Sequence, residues 1–112
     1  MIDSYDFGMI VIDGRAYTSD VIIFHDKVKD KWWRKEGHAL HIADIESVFE
    51  EKPEVLIVGT GKFGILKVLP ETKEYIESKG IELIVEPTDK ACKMYNEISK
   101  EKKTVAALHL TC

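Results

Sequence analysis

Glutamine is absent from this 112-residue chain, asparagine occurs once, at Asn96, and cysteine only twice. Cys92 and Cys112 stand twenty residues apart and belong to no CxxC pair. The sequence therefore offers neither a zinc knuckle nor a disulfide framework, and a reducing, cytoplasmic setting is expected. No apolar run approaches the roughly 20 residues that span a bilayer, and the opening MIDSYDFGMI lacks the basic and long apolar regions of a signal peptide. No membrane association is expected. Also missing are a GxSxG nucleophile elbow and a GxxxxGK[ST] phosphate loop, and no spacing of the abundant carboxylates singles out a catalytic pair. These absences lead to the expectation of no catalytic residue, no cofactor and no metal.

The chain does have enough apolar residues for a core. With 45% hydrophobic and 32% charged residues it reads as globular, because a disordered chain lacks the apolar surface that offsets ordering entropy. At this length one domain over residues 1–112 is expected, burying roughly 65% of its unfolded surface. Lysine and glutamate supply most of the charge, a bias associated with thermophilic proteins. The net charge is −4, but residues 27 to 35, KVKDKWWRK, carry five cations against one anion and leave the rest at −8. Any attraction to nucleic acid would have to come from that run alone.

Along the chain, Asp13-Gly14 lies between Phe7–Ile12 and Arg15–Phe24, both rich in β-formers. Asp-Gly suits a two-residue type I′ turn, so an N-terminal antiparallel hairpin is predicted. Val55–Val58 is too short an apolar run for a helix and reads as a strand buried on both faces. Pro70 suits the first position of a helix over about 71–79, with Gly80 at its C-cap position. Ile81–Val85 reads as another strand, and Thr88 as the cap of a helix whose Ala91, Met94, Tyr95 and Ile98 share one face. Val105–Leu110 closes the chain as a strand. Asp44 looks like the cap of a short helix, Ile45–Glu51. The prediction is an α/β fold with a mixed central β-sheet: an N-terminal hairpin, then a β-α-β-α-β half whose first two strands run parallel, with helices packed on the sheet.

Gly59-Thr60-Gly61-Lys62-Phe63-Gly64 is literally GxGxxG after a strand, with Glu86 at the end of the next strand. In a dinucleotide fold, however, the helix begins inside that motif. Here the helix signal waits until Pro70, and Ile65, Leu66, Val68 and Leu69 read as extended, so a dinucleotide is not expected. A glycine turn is the ordinary reading, with an anion nest of backbone amides and Lys62 as the alternative. Trp32-Trp33-Arg34 with Gly37-His38 forms a second candidate: the ordinary reading packs one Trp in the core and leaves the lysines as a solvated face, and the alternatives are to hold an anion, stack a base or anchor a protein partner. His38, His41 and Asp44 recur at every third position, but Gly37 and the Asp44 cap prevent them from sharing a helical face. His25 and His109 read as structural. Cys92 lies in an early helical turn among apolar neighbours and reads as buried rather than reactive.

In order, these landmarks resemble one family over nearly the whole chain. They are Phe7-Gly8, Tyr17-x-x-Asp20, Trp33-Arg34-x-x-Gly37-His38, Val55-Leu-Ile-Val-Gly59-Thr-Gly61 and Gly80-Ile81, followed by Thr88-x-x-Ala91-x-x-x-Tyr95-Asn96, Val105-Ala-Ala-Leu108 and His109-Leu-Thr-Cys112. The family is that of the Mth domain, which includes an adipogenesis-associated protein and a mitochondrial complex I assembly factor. With no transit peptide and a thermophile-like composition, the chain is similar to the archaeal member that gave the domain its name. The resemblance implies a mixed sheet with packed helices and brings no catalytic set. It singles out Trp33, Arg34, His38, Thr60, Gly61 and Thr88, with Lys62 beside them, as a candidate ligand or partner surface. The expected function is a non-enzymatic binding or assembly module using the basic-aromatic surface toward a protein partner. The alternatives are a small-molecule or anion-binding protein, or a minor enzyme, using the Gly59–Gly64 loop with Arg34 and His38 and, less favoured, a nucleic-acid accessory role. The oligomeric state stays open.

Overall fold

The computed structural model describes all residues, 1–112. The chain opens with three strands, β1 (Ile2–Asp6), β2 (Met9–Ile12) and β3 (Arg15–Tyr17), paired antiparallel in that order. Asp13 and Gly14 have φ of 48° and 80°, the left-handed values a type I′ turn requires. The predicted hairpin is thus present at its turn but differs around it. An additional strand, β1, precedes it, fastened by the chain's one asparagine: the Ile2 amide donates to Asn96 Oδ1 and Asn96 Nδ2 donates to the Ile2 carbonyl, both at 2.8 Å. The run Arg15–Phe24 also divides. Val21–Ile23, β4, leaves the meander because all three residues are buried, which requires cover on both faces.

The central sheet has the order β5-β4-β10-β7-β9, with β5 at Val28–Lys29, β7 at Val55–Thr60, β9 at Glu82–Glu86 and β10 at Thr104–His109. Strands β10, β7 and β9 are mutually parallel, and β4 and β5 extend the sheet antiparallel on the β10 side. A two-stranded parallel ribbon, β6 (Ala39–Leu40) with β8 (Lys67–Val68), lies apart from it. The helices are α1 (Glu46–Glu51), α2 (Pro70–Ser78) and α3 (Thr88–Ile98). The mixed sheet and the second half, β7-α2-β9-α3-β10, agree with the sequence-based prediction.

Period-two alternation divides the apolar side chains between two cores. Val55, Ile57, Ala106, Leu108, Val21 and Ile23 face the meander and the Ala91, Cys92 and Tyr95 side of α3. Leu56, Val58, Val105, Ala107 and Ile22 face Trp32, Leu40, Val48 of α1 and Ile76 of α2. Every residue of β7 and β10 is buried. No helix is long and apolar enough to cross a membrane.

Two helix starts differ from expectation. A 3-10 turn over Ile42–Ile45 precedes α1, and Asp44 caps no α-helix because its carboxylate accepts the His41 and Lys35 amides at 2.8 and 2.9 Å. Pro87, not Thr88, is the cap residue of α3. Thr88 is drawn inward, where its hydroxyl donates to the His109 carbonyl at 2.6 Å and accepts the Gly61 amide at 2.8 Å. By contrast α2 begins with Pro70 in its first turn and is followed by Gly80 at φ 75°.

Gly59 is explained by the same close approach. A Cβ there would meet Leu108 Cδ2 at 2.8 Å, Thr88 Oγ1 at 2.9 Å and the Thr88 Cα at 3.3 Å. The missing side chain lets the start of α3 sit directly on β7. Gly59→Ala is expected to lower the unfolding free energy by about 1–3 kcal/mol through overpacking, measured by urea denaturation. An unchanged midpoint would show that α3 can move away freely.

Candidate functional site

Strand register builds a polar cluster at one end of the sheet. Leu108 pairs with Val21 on one side and with Gly59 on the other, and His109 pairs with Thr60. One residue further, Asp20 meets His109 although the two are 89 positions apart in sequence. Alternation turns their side chains away from the α3 side and toward Trp32.

Asp20 Oδ1 accepts the Leu110 amide at 2.7 Å, and Oδ2 accepts His109 Nδ1 and Arg34 Nη1, each at 2.8 Å. Arg34 lies over the Trp32 ring, 4.7 Å from its centroid. Its Nε and Nη2 donate to the Gly37 carbonyl at 3.3 and 3.0 Å. The Arg34 and His109 side chains are only 5% and 7% exposed, and that of Asp20 13%. A charge buried this deeply is tolerable only when paired and hydrogen-bonded. Burial would raise the Asp20 carboxyl, but the hydrogen bonds from His109, Leu110 and Arg34 outweigh it and hold it below the usual carboxylate range.

The same carboxylate orients the histidine. It can only accept, so His109 Nδ1 carries the proton and cannot also accept from Arg34 Nη2, which lies 3.1 Å away. His109 Nε2 is buried and has no hydrogen-bond partner. An Asp–His pair of this kind is also how a general base is oriented. Here, however, the ring is packed against the Gly61 backbone, where a Cβ would fall 2.8 Å from His109 Cδ2.

The residues singled out from sequence distribute around this cluster unequally. Arg34 is inside it. His38 is exposed and sets its ring against His109, with centroids 5.9 Å apart. Gly61, at φ 97°, packs on His109 and is tied to α3 by Thr88. Thr60 is buried and donates to the Glu86 carbonyl at 3.1 Å. It lines a cleft of about 490 Å3 with Gly64, Lys67, Lys73 and Val85, which neither Arg34 nor His38 reaches. Lys62 points elsewhere, its ammonium 5.9 Å from the Tyr5 ring centroid. Trp33 stands apart from the cluster with 74% of its surface exposed.

The loop amides are largely engaged within the chain. Gly61 N–H goes to Thr88, Lys62 N–H to the Thr111 carbonyl at 2.8 Å and Gly64 N–H to the Gly61 carbonyl at 3.4 Å. Cys92 is buried, and burial pushes its thiol up to about 12, which disfavours a nucleophilic thiolate. The sequence marks His109 only as structural and does not single out Asp20 as a site residue. Their only sequence signals are the Tyr17-x-x-Asp20 and closing His109-Leu-Thr-Cys112 segments, and nothing in the sequence links the two.

Residues 2–110 match the family described as Protein of unknown function (DUF498/DUF598). Among solved structures, the conserved hypothetical protein PH1505 from Pyrococcus horikoshii OT3 superposes with a TM-score of 0.87 at 31% identity, over 100% of this chain and 99% of that one. The protein MT938 gives 0.82 at 32% identity, over 100% and 98%. A Mth938-like domain from Bordetella pertussis shares the fold at 0.68 and 19% identity, over 98% and 85%.

Asp20→Asn is expected to destabilise by about 3–5 kcal/mol in chemical denaturation at pH 7, because Arg34 is left buried without its counter-ion. The pH dependence follows from the lowered Asp20 carboxyl. The native state binds the proton less readily than the unfolded chain, so this contribution is complete above the unfolded value of about 4 and disappears as pH falls through the lower native value. The wild type should therefore lose stability in that acid range by a component that Asp20→Asn lacks. Parallel profiles for the two proteins would refute the assignment.

Proposed function

The chain belongs to the DUF498/DUF598 family of proteins of unknown function and is a Mth938-like domain, and from that premise we propose that it is a non-enzymatic binding or assembly module. The observation that carries this reading is Trp33, 74% exposed between two inward-facing neighbours. Trp32 is 2% exposed and donates its indole N–H to the Asp44 carbonyl at 2.9 Å, while Arg34 is held by Asp20 and Gly37. The backbone on each side of Trp33 is thus fixed, and an indole presented from a fixed loop loses little entropy on binding.

The surroundings favour an acidic partner surface with an apolar pocket. The segment runs along the outer side of β4: Val28 pairs with Ile23, Lys29 with Ile22, the Lys31 amide bonds Ser19 Oγ, and the Trp32 amide bonds the Asp20 carbonyl. Lys27, Lys29, Lys31 and Lys35 are exposed along this edge, and none makes an ion pair. Such a line of cations accelerates encounter with an acidic protein. Anion binding by the Gly59–Gly64 amides has less support, since those of Gly61, Lys62 and Gly64 already have partners. Nucleic acid is disfavoured by the −8 charge outside residues 27–35.

The test is a partner recovered by the wild-type chain, identified, purified and bound again in a defined mixture. Trp33→Ala should weaken that binding roughly 30-fold or more, as loss of an aromatic anchor does, with an unchanged unfolding midpoint. Lys29→Glu with Lys35→Glu should slow association, and added salt should do the same to the wild type. No recoverable partner, or one bound equally by Trp33→Ala, rejects the reading.

A further inference from the structure

Strand β9 forms one edge of the central sheet and pairs only with β7. Its Glu82 amide donates to the Glu54 carbonyl at 3.0 Å, which sets the parity of the whole strand. In a parallel ladder Glu82, Ile84 and Glu86 then turn their amide and carbonyl groups toward β7, and Leu83 and Val85 turn theirs outward. None of the turn, loop or side-chain hydrogen bonds of the chain reaches those outward groups. Unlike β5, which is two residues long, β9 offers five residues without proline or bulge, a usable template for another strand.

The side chains of the same two residues point to one place. Leu83 and Val85 are opposite Leu56 and Val58 and share their face. They line the 490 Å3 cleft, together with Leu66 and Val68, and Val85 is 42% exposed. Lys67 and Lys73 stand at its walls, and neither makes an ion pair, whereas Glu86 in the same lining is held by Lys90 at 3.5 Å. Unsatisfied backbone groups, apolar side chains two residues apart and free cations thus coincide on one edge.

We infer that β9 receives an extended, acidic segment of a partner protein as an additional strand, with an apolar side chain set on Leu83 and Val85 and an Asp or Glu carboxylate between Lys67 and Lys73. Main-chain hydrogen bonds provide affinity in this mode, and the cleft selects the side chains. A second copy of the chain fits poorly. Antiparallel pairing of two β9 strands centred on Ile84 sets Leu83 opposite Val85 on the cleft face and directs Glu82 and Glu86, each held by a lysine, to the α3 face, so it brings no carboxylate to Lys67 and Lys73. The inference is independent of Trp33, because β9 and the lysine-bearing β5 are at opposite edges of the sheet.

The experiment selects displayed random nine-residue peptides on the full chain and follows the best synthetic peptide by amide hydrogen exchange. The selected pool should be enriched in Asp or Glu next to alternating apolar residues. The bound peptide should slow exchange at Leu83 and Val85 at least tenfold. Lys67→Glu with Lys73→Glu should weaken binding tenfold or more at an unchanged melting temperature, and Val85→Pro should also weaken it by removing an outward donor. Trp33→Ala should bind the peptide normally, which separates this surface from the other. An unenriched pool, selected peptides without carboxylates, or unaltered exchange at Leu83 and Val85 overturns the inference. Concentration-dependent dimers protecting those two amides would also overturn it, by making a second copy the occupant.

Discussion

The Asp20 carboxylate is where three distant parts of the chain meet. It stands at the entrance to β4, accepts hydrogen bonds from the His109 ring and the Leu110 amide at the end of β10, and anchors Arg34 in the loop that carries Trp33. Apolar burial alone would leave the register of β4 against β10 with only a three-residue ladder to specify it. A slip by one residue there would exchange the two cores. It would also withdraw Asp20 from Leu110 and leave Arg34 and His109 in an apolar setting without their acceptor. Desolvation of these groups makes the native alignment worth keeping, because every misalignment strands a charge.

This cluster limits how the rest of the end of the sheet can be arranged. His109 is gripped through its side chain by Asp20 and through its carbonyl by Thr88, which also holds the Gly61 amide. The glycine-rich loop is therefore tied to β10 and α3, and its close packing explains glycine at positions 59 and 61, where a Cβ would meet neighbours at 2.8 and 2.5 Å. A motif that in a dinucleotide fold lets phosphate approach backbone here lets backbone approach backbone.

What the sequence made legible follows from the range of the interactions. The Asp13-Gly14 turn, Pro70 at the start of α2, and Val55–Val58 as a strand are all local: dihedral preference, a missing amide and uninterrupted burial are visible within a few residues. Thr88 departs from expectation because a hydroxyl at a helix start normally serves that helix, and its competing partners, Gly61 and His109, are 27 and 21 residues away. Strand β1 is mostly polar, with Asp3 and Ser4 adjacent and a shift of register between Ile2 and Ser4, and is held by Asn96, 94 positions distant. Asp20 and His109 are separated nearly as far. In the candidate site, Trp33 and Arg34 were identifiable as residue types, but only the packed chain shows that adjacent residues face opposite ways.

The two sheet edges solve the same physical problem differently. On one side β5 is only two residues long and its neighbourhood carries lysines, a combination that blocks unwanted strand pairing. Edge protection therefore accounts for Lys27 and Lys29 without invoking any partner. It does not account for Trp33, since protecting an edge requires charge and gains nothing from an exposed indole, which raises the hazard of nonspecific association. On the other side β9 has glutamates at both ends but leaves Leu83 and Val85 turned to an open cleft. Those glutamates are held by Lys90 and Lys102, which keeps the strand ends polar and leaves the centre of the strand accessible. The recognition proposed for each edge thus rests on the apolar residues that edge protection leaves unexplained.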